Sequence, residues 1–142
     1  MRSPNRLLYA IAPLLIAIAS IALSATCVSY ASEDATRVAF LTDVASPDDL
    51  GTHDAAAWKT LLKIKPDAVF VTWSTEDVLL TLEGDTVELQ DFDIVWIHQG
   101  DSSESSGPLY GAPVRKALRE YVQNENGLFL SGAAMSLVNN LG

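Results

Sequence analysis

From residue 37 onward the chain reads as an α/β domain built on a parallel, doubly wound sheet. Two observations predict this. Short β-type runs ("RVAFLT", "DAVFVTW", "DFDIVWIH", "LFLS") alternate with helical patterns, and polar loops rich in Asp, Gly, Pro and Ser separate them. The runs are also apolar throughout instead of alternating, as strands covered on both faces are. Strands joined by helices make a doubly wound sheet. The expectation is about four parallel strands in the order 2-1-3-4.

The N-terminal segment is of another kind. Arg2 and Arg6 precede residues 7 to 25, which carry no charge, and "VSYASEDA" follows. A basic start, an apolar run and a small-x-small site match a signal peptide. Cleavage after Ala31 would leave residues 32–142 as the domain. The run exceeds the usual ~7–15 residues of a signal core and approaches the ~20 of a membrane span. The alternative is therefore an uncleaved N-terminal anchor, the only route to the membrane that the sequence offers. In both cases the positive flank leaves the domain outside the cytoplasm, periplasmic or extracellular. Cys27 is the only cysteine, and Thr26 before it makes a poor lipoprotein site. After cleavage no thiol remains, which excludes disulfides, thiolate metal sites and a cysteine nucleophile.

The elements follow in order. Strand 1 spans 37 to 42, and the Asp- and Pro-rich loop 43 to 52 leads to a helix over 53 to 64, capped by Thr52. Ala55, Trp58, Leu61 and Leu62 recur there at helical spacing. Strand 2 spans 67 to 73. Ser74 is expected to cap a short helix over 75 to 82, and Thr86 to Leu89 an edge strand. Strand 3 spans 91 to 98, followed by a long polar loop, 99 to 113. The helix over 114 to 122 shows the clearest stripe: Val114, Ala117, Leu118, Tyr121 and Val122. Pro113 suits its start, and Gly127 is expected as its left-handed cap. Strand 4 spans 128 to 131, and a last helix starts at Ala133. Open sheets of this class usually carry five or more strands, so the sequence reads as an incomplete domain.

Charge narrows the partners. Beyond Ala31 there are eighteen acidic side chains against seven basic ones, a net −11. Such a surface repels phosphate backbones, which argues against nucleic acid. Oligomeric state is not legible.

"DFDIVWIHQGD", followed by a helix ending "LREYVQNENGLFLSGAA", resembles the trehalose-utilisation (ThuA-like) branch of the class I glutamine amidotransferase-like superfamily. The likeness runs over residues 36 to 138 and is strongest around Tyr121, Val122, Gly127, Leu128, Gly132 and Ala133. It implies a flavodoxin-like three-layer sandwich. In true amidotransferases a Gly-x-Cys-x-Gly turn follows this strand, with a His and a Glu further on. Here Ala134 stands at the cysteine position, and no His-Glu pair follows within the sequence. The resemblance therefore implies a domain without glutamine amide chemistry. The branch commonly has His before the Gly-Ala pair; here it is Ser131.

Ligands of open parallel sheets bind outside the carboxyl ends of the strands. That edge gathers Asp43, Trp73, His98, Gln99, Gly100, Asp101, Ser131 and Gly132, with His53 beginning the first helix. His98, with Asp43 or Asp101, is the candidate general base, and Gly100 lets backbone approach a ligand. His53, His98, Asp43 and Asp101 lack metal-ligand spacing, so neither metal nor other cofactor is expected. Ser131 oriented by His98 is a possible nucleophile, although "LFLSGAA" is not the Gly-x-Ser-x-Gly elbow; the plainer role is a small residue that lets the strand turn. Trp73 is the aromatic candidate for stacking on a saccharide, while Trp58 and Trp96 read as core. The leading expectation is an exported, non-catalytic amidotransferase-like domain binding a small polar ligand such as a carbohydrate. The alternatives are an enzyme acting on a sugar derivative through His98 with Asp43 or Asp101, and a gene fragment without independent function.

Overall fold

The computed structural model describes residues 36–100 and 107–141. Its strands are β1 (Val38–Thr42), β2 (Val69–Trp73), β3 (Leu79–Thr81), β4 (Thr86–Val87), β5 (Ile94–Gln99) and β6 (Gly127–Gly132). The helices are α1 (Thr52–Ile64), α2 (Ala112–Gln123) and a single turn, α3 (Val138–Leu141). The sheet is six-stranded and mixed, in the order β4-β3-β2-β1-β5-β6. Its count and full order differ from the four-stranded parallel sheet that the sequence suggests, although the four expected strands keep their relative order 2-1-3-4 as β2-β1-β5-β6. Four strands, β2-β1-β5-β6, do pair in parallel, and an antiparallel arm, β3 and β4, extends the sheet beyond β2.

The arm replaces the helix expected over 75 to 82. Ser74 does satisfy backbone amides, but through a turn: its hydroxyl accepts from the N–H of Glu76 and of Val78. Asp77 takes a left-handed φ of 58°, and its carboxylate accepts from Trp73 Nε1 at 3.2 Å. The chain thereby reverses, and Leu79 pairs with Trp73. A tertiary pairing has overridden a plausible cap.

Smaller differences concern helix ends. Gly51, not Thr52, precedes α1, without a side-chain cap. Gly127 is the first residue of β6, and Glu125 takes the positive φ, 65°, between α2 and β6. After β6 the chain forms a 3-10 turn over Ala133–Leu137 before α3.

Strand side chains alternate between two apolar clusters. Val38, Phe40 and Phe70 meet Trp58 and Leu61 of α1. Ala39, Leu41, Val71, Val95, Ile97 and Leu130 meet Val114, Leu118 and Tyr121 of α2, together with Leu137. Both faces of β1 are therefore buried, which explains its uninterrupted apolar run. Full burial of such side chains stabilises by roughly 1.5–3 kcal/mol each. Tyr121 hides its ring and donates its hydroxyl to Phe92 O at 2.9 Å, tying α2 to the lead into β5. Burial, reinforced by Asp93, pushes its pKa up to about 12. No helix among the described residues is long and apolar enough to cross a membrane; residues 7 to 25 lie outside them.

Candidate functional site

β5 and β6 run in parallel with His98 beside Ser131 and Trp96 beside Phe129. Trp96, His98, Phe129 and Ser131 share the face of the sheet that carries α1. At its carboxyl end His98 Nδ1 and Ser131 Oγ are 2.7 Å apart. Trp96 Nε1–H donates to the same Oγ at 2.8 Å. On the other side of the imidazole, Nε2 lies 3.8 Å from Asp54 Oδ1, and both side chains are 19% exposed. That is charge-pairing distance, beyond a hydrogen bond. A carboxylate facing Nε2 favours the tautomer with its proton there. Nδ1 is then an acceptor, and the Ser131 hydroxyl, anchored by the indole, donates to it.

The first turn of α1 holds the opposite wall. The Gly100 amide donates to Asp54 Oδ1 at 2.6 Å. His53 Nδ1 lies 3.2 Å from Gly100 O, a carbonyl that can only accept, so this nitrogen carries the proton. Gly100 is required by this crowding: a Cβ there would collide with the His53 side chain and approach His98 Nε2 to 2.8 Å. Gly132 is required for another reason. Its φ is +65°, and a Cβ would strike the carbonyl of Gln99. The two glycines let β5, β6 and α1 close on one point.

Between α1 and the β5–β6 pair lies a cleft of about 510 Å³. His53, His98, Gly100 and Ser131 line its polar end, and Ala56, Ala57, Thr60 and Trp96 its apolar side. A second hollow of about 390 Å³ is also bordered by Trp96, with Leu61, Ile64, Ile94 and Phe129 as its other apolar walls. No second helix covers this part of the face among the described residues, which leaves Phe129 53% and Ile94 37% exposed.

The residues singled out in the sequence separate into groups. His98, Gly100 and Ser131 meet in the cleft, with Gly132 supporting it from behind. Gln99 is buried and turned away, accepting from the Tyr110 hydroxyl. Trp73 is also buried on the α2 face, where it borders a separate cleft of about 370 Å³ with Leu79, Val87 and Ala117. It is thus on the wrong side of the sheet to stack on a ligand beside His98, because strand alternation sends residue 73 to the same face as Val71. Asp43 does not line the cleft; burial, helped by the charge of Asp54, raises its pKa. Asp101 lies outside the described residues. Ala134 is fully buried in the α2-side core. Asp54 and Trp96 are the members missed by sequence reasoning. An Asp in the first turn of a helix is ordinary dipole-favoured chemistry and gives no signal of a site, and Trp96 sits inside an apolar strand whose neighbour could not be known. Among the described residues no group of three or more His, Cys, Asp or Glu side chains could hold a metal ion.

No family model, curated protein or solved structure matches the chain.

Proposed function

We propose that the chain is an exported amidotransferase-like domain of the trehalose-utilisation kind, a flavodoxin-like sandwich without glutamine amide chemistry, that binds a small polar ligand such as a carbohydrate. The cleft beside His98 carries this reading. It sets hydrogen-bonding groups, Ser131 and the imidazoles, next to the half-buried ring of Trp96. Sugars present hydroxyls at their rims and C–H faces that pack on aromatic rings. Ala134, with a methyl group in a sealed core, offers nothing to attack an amide.

The test is titration of the full chain with neutral mono- and disaccharides, read by tryptophan fluorescence. Removing one buried hydrogen bond to a ligand costs about 1–3 kcal/mol, so His98→Ala should weaken binding by roughly tenfold or more while the circular dichroism stays unchanged. Equal affinity in the variant would remove His98 from the site. Ammonia release from glutamine would overturn the loss of amidotransferase chemistry.

One observation favours a second reading, an enzyme with His98 as general base. The 2.7 Å contact to Ser131 on one nitrogen and the Asp54 carboxylate facing the other set up proton transfer. Among the described residues the carboxylate facing Nε2 is Asp54, supplied by α1, and Asp43 does not line the cleft.

A further inference from the structure

We propose that Ser131 is a nucleophile for carboxylic esters whose acyl chain lies in the trough running from the cleft past Trp96. The proposal rests on the second reading above, with His98 as base, and goes beyond it in naming the attacking atom and the substrate class.

Three features converge on Ser131 Oγ. It lies 2.7 Å from His98 Nδ1, and in the tautomer with the imidazole proton on Nε2 the serine hydroxyl donates to Nδ1. The indole N–H of Trp96 holds the oxygen from a second side, at 2.8 Å. That donor fixes the rotamer and stabilises negative charge as it builds on the oxygen. The Asp54 carboxylate, 3.8 Å from Nε2, favours the imidazolium that forms. Nucleophile, base and carboxylate come from β6, β5 and α1, so three separate elements meet here. This end of the cleft also receives the start of the α1 helix, Thr52–Ile64. The positive end of its dipole favours a developing oxyanion.

The steps balance. Ser131 Oγ attacks the ester carbonyl carbon, and its proton passes to His98 Nδ1. The tetrahedral intermediate expels the alcohol, which takes that proton, leaving an acyl ester on Ser131. Water then gives a proton to His98 and attacks the acyl carbon. The C–Oγ bond breaks, the carboxylic acid leaves, and the proton returns to Ser131. No redox partner or further reactant is needed.

The trough sets the acyl group. From His98 back to Ile94, β5 offers about 13 Å of strand. Along it the cleft and the second hollow border Trp96 from either side, and the hollow is lined by Ile94, Phe129 and Ile64. This path suits an aliphatic chain. The net charge of −11 beyond Ala31 disfavours anionic esters, so a neutral alcohol portion, facing the open mouth, is expected.

The experiment treats the full chain with a serine-directed fluorophosphonate and maps the adduct by mass spectrometry, alongside hydrolysis of p-nitrophenyl acetate, butyrate and octanoate. The expected result is one adduct, on Ser131, absent in Ser131→Ala. His98→Ala should slow labelling about 10²-fold or more, and Asp54→Asn and Trp96→Phe by smaller factors. Octanoate should be preferred to acetate, and Phe129→Ser together with Ile94→Ser should erase that preference while Ser131 still labels. If Ser131→Ala fails to fold, Ser131→Cys replaces it: alkylation by iodoacetamide at residue 131 should be fast and should slow on adding His98→Ala. Absence of an adduct on a chain that still binds saccharides overturns the nucleophile and leaves the binding reading standing. Labelling that is unchanged by His98→Ala overturns both this proposal and the general-base reading. Equal rates with all three esters overturn the acyl trough.

Discussion

On the α2 face of the sheet, Leu41, Val71, Val95 and Ile97 lie beneath Leu118, Tyr121 and Leu137, all fully closed to solvent. On the α1 face, one helix seals Phe40 and Phe70 beneath Trp58, and beyond it the side chains of β5 and β6 meet water. Ile94 is 37%, Phe129 53% and nearby Ile64 77% exposed. The same strands supply both faces, so the contrast comes from what covers them. The closed face supplies stability. The open face supplies access, and there the polar ends of β5 and β6 carry a serine and a histidine in place of apolar residues.

The strongest way to break this comparison is to open the closed face. Leu118→Ala should cost about 2–5 kcal/mol, read as a lower urea midpoint; a loss under about 1 kcal/mol would mean that α2 is not the scaffold. Next comes the hinge between the faces. Gly132→Ala places a side chain at a φ of +65° and against the Gln99 carbonyl. Strain of that kind costs on the order of 1–3 kcal/mol, with the loss of the Ser131–His98 contact as its companion.

Tyr121→Phe should cost about 1 kcal/mol at neutral pH by removing the bond to Phe92 O. Its pH dependence sharpens the assignment. The folded-state pKa, about 12, lies above the unfolded value near ~10. The contribution is therefore present below pH ~10 and lost as pH rises towards 12. In that window the wild type should lose stability faster than the variant; parallel curves would deny that the phenol is buried. The smallest effect is expected on the open face, where Phe129→Ser should change stability by no more than ~0.5 kcal/mol. A large loss there would show that the face is core after all.

Much of this architecture was legible. β1, buried on both faces, announces itself by an unbroken apolar run, and α2 by its stripe of Val114, Leu118 and Tyr121. Of the arm, β4 falls where an edge strand is expected, but β3 was not legible, because "TEDVLLTL" fits a capped helix as well as a turn and strand. Only pairing with Trp73 decides between them. At the site, His98 and Ser131 could be brought to one edge by counting along strands. Their contact required knowing that β5 and β6 are neighbours in a register that sets 98 beside 131. Trp73 lies on the face opposite the cleft, and Trp96, packed on the core as expected, also borders the cleft, for a related reason. Which face a strand residue takes depends on parity, and parity becomes informative only when one partner on a known face is fixed.

The register of β5 and β6 also bears on when the site exists. Residues 98 and 131 are separated along the chain by α2, and among the described residues β6 pairs with β5 alone. A folding chain can close β1, β2 and β5 around their cores while the site is still in two halves. The serine meets the imidazole only when β6 is docked on β5, so any chemistry at this edge requires that pairing.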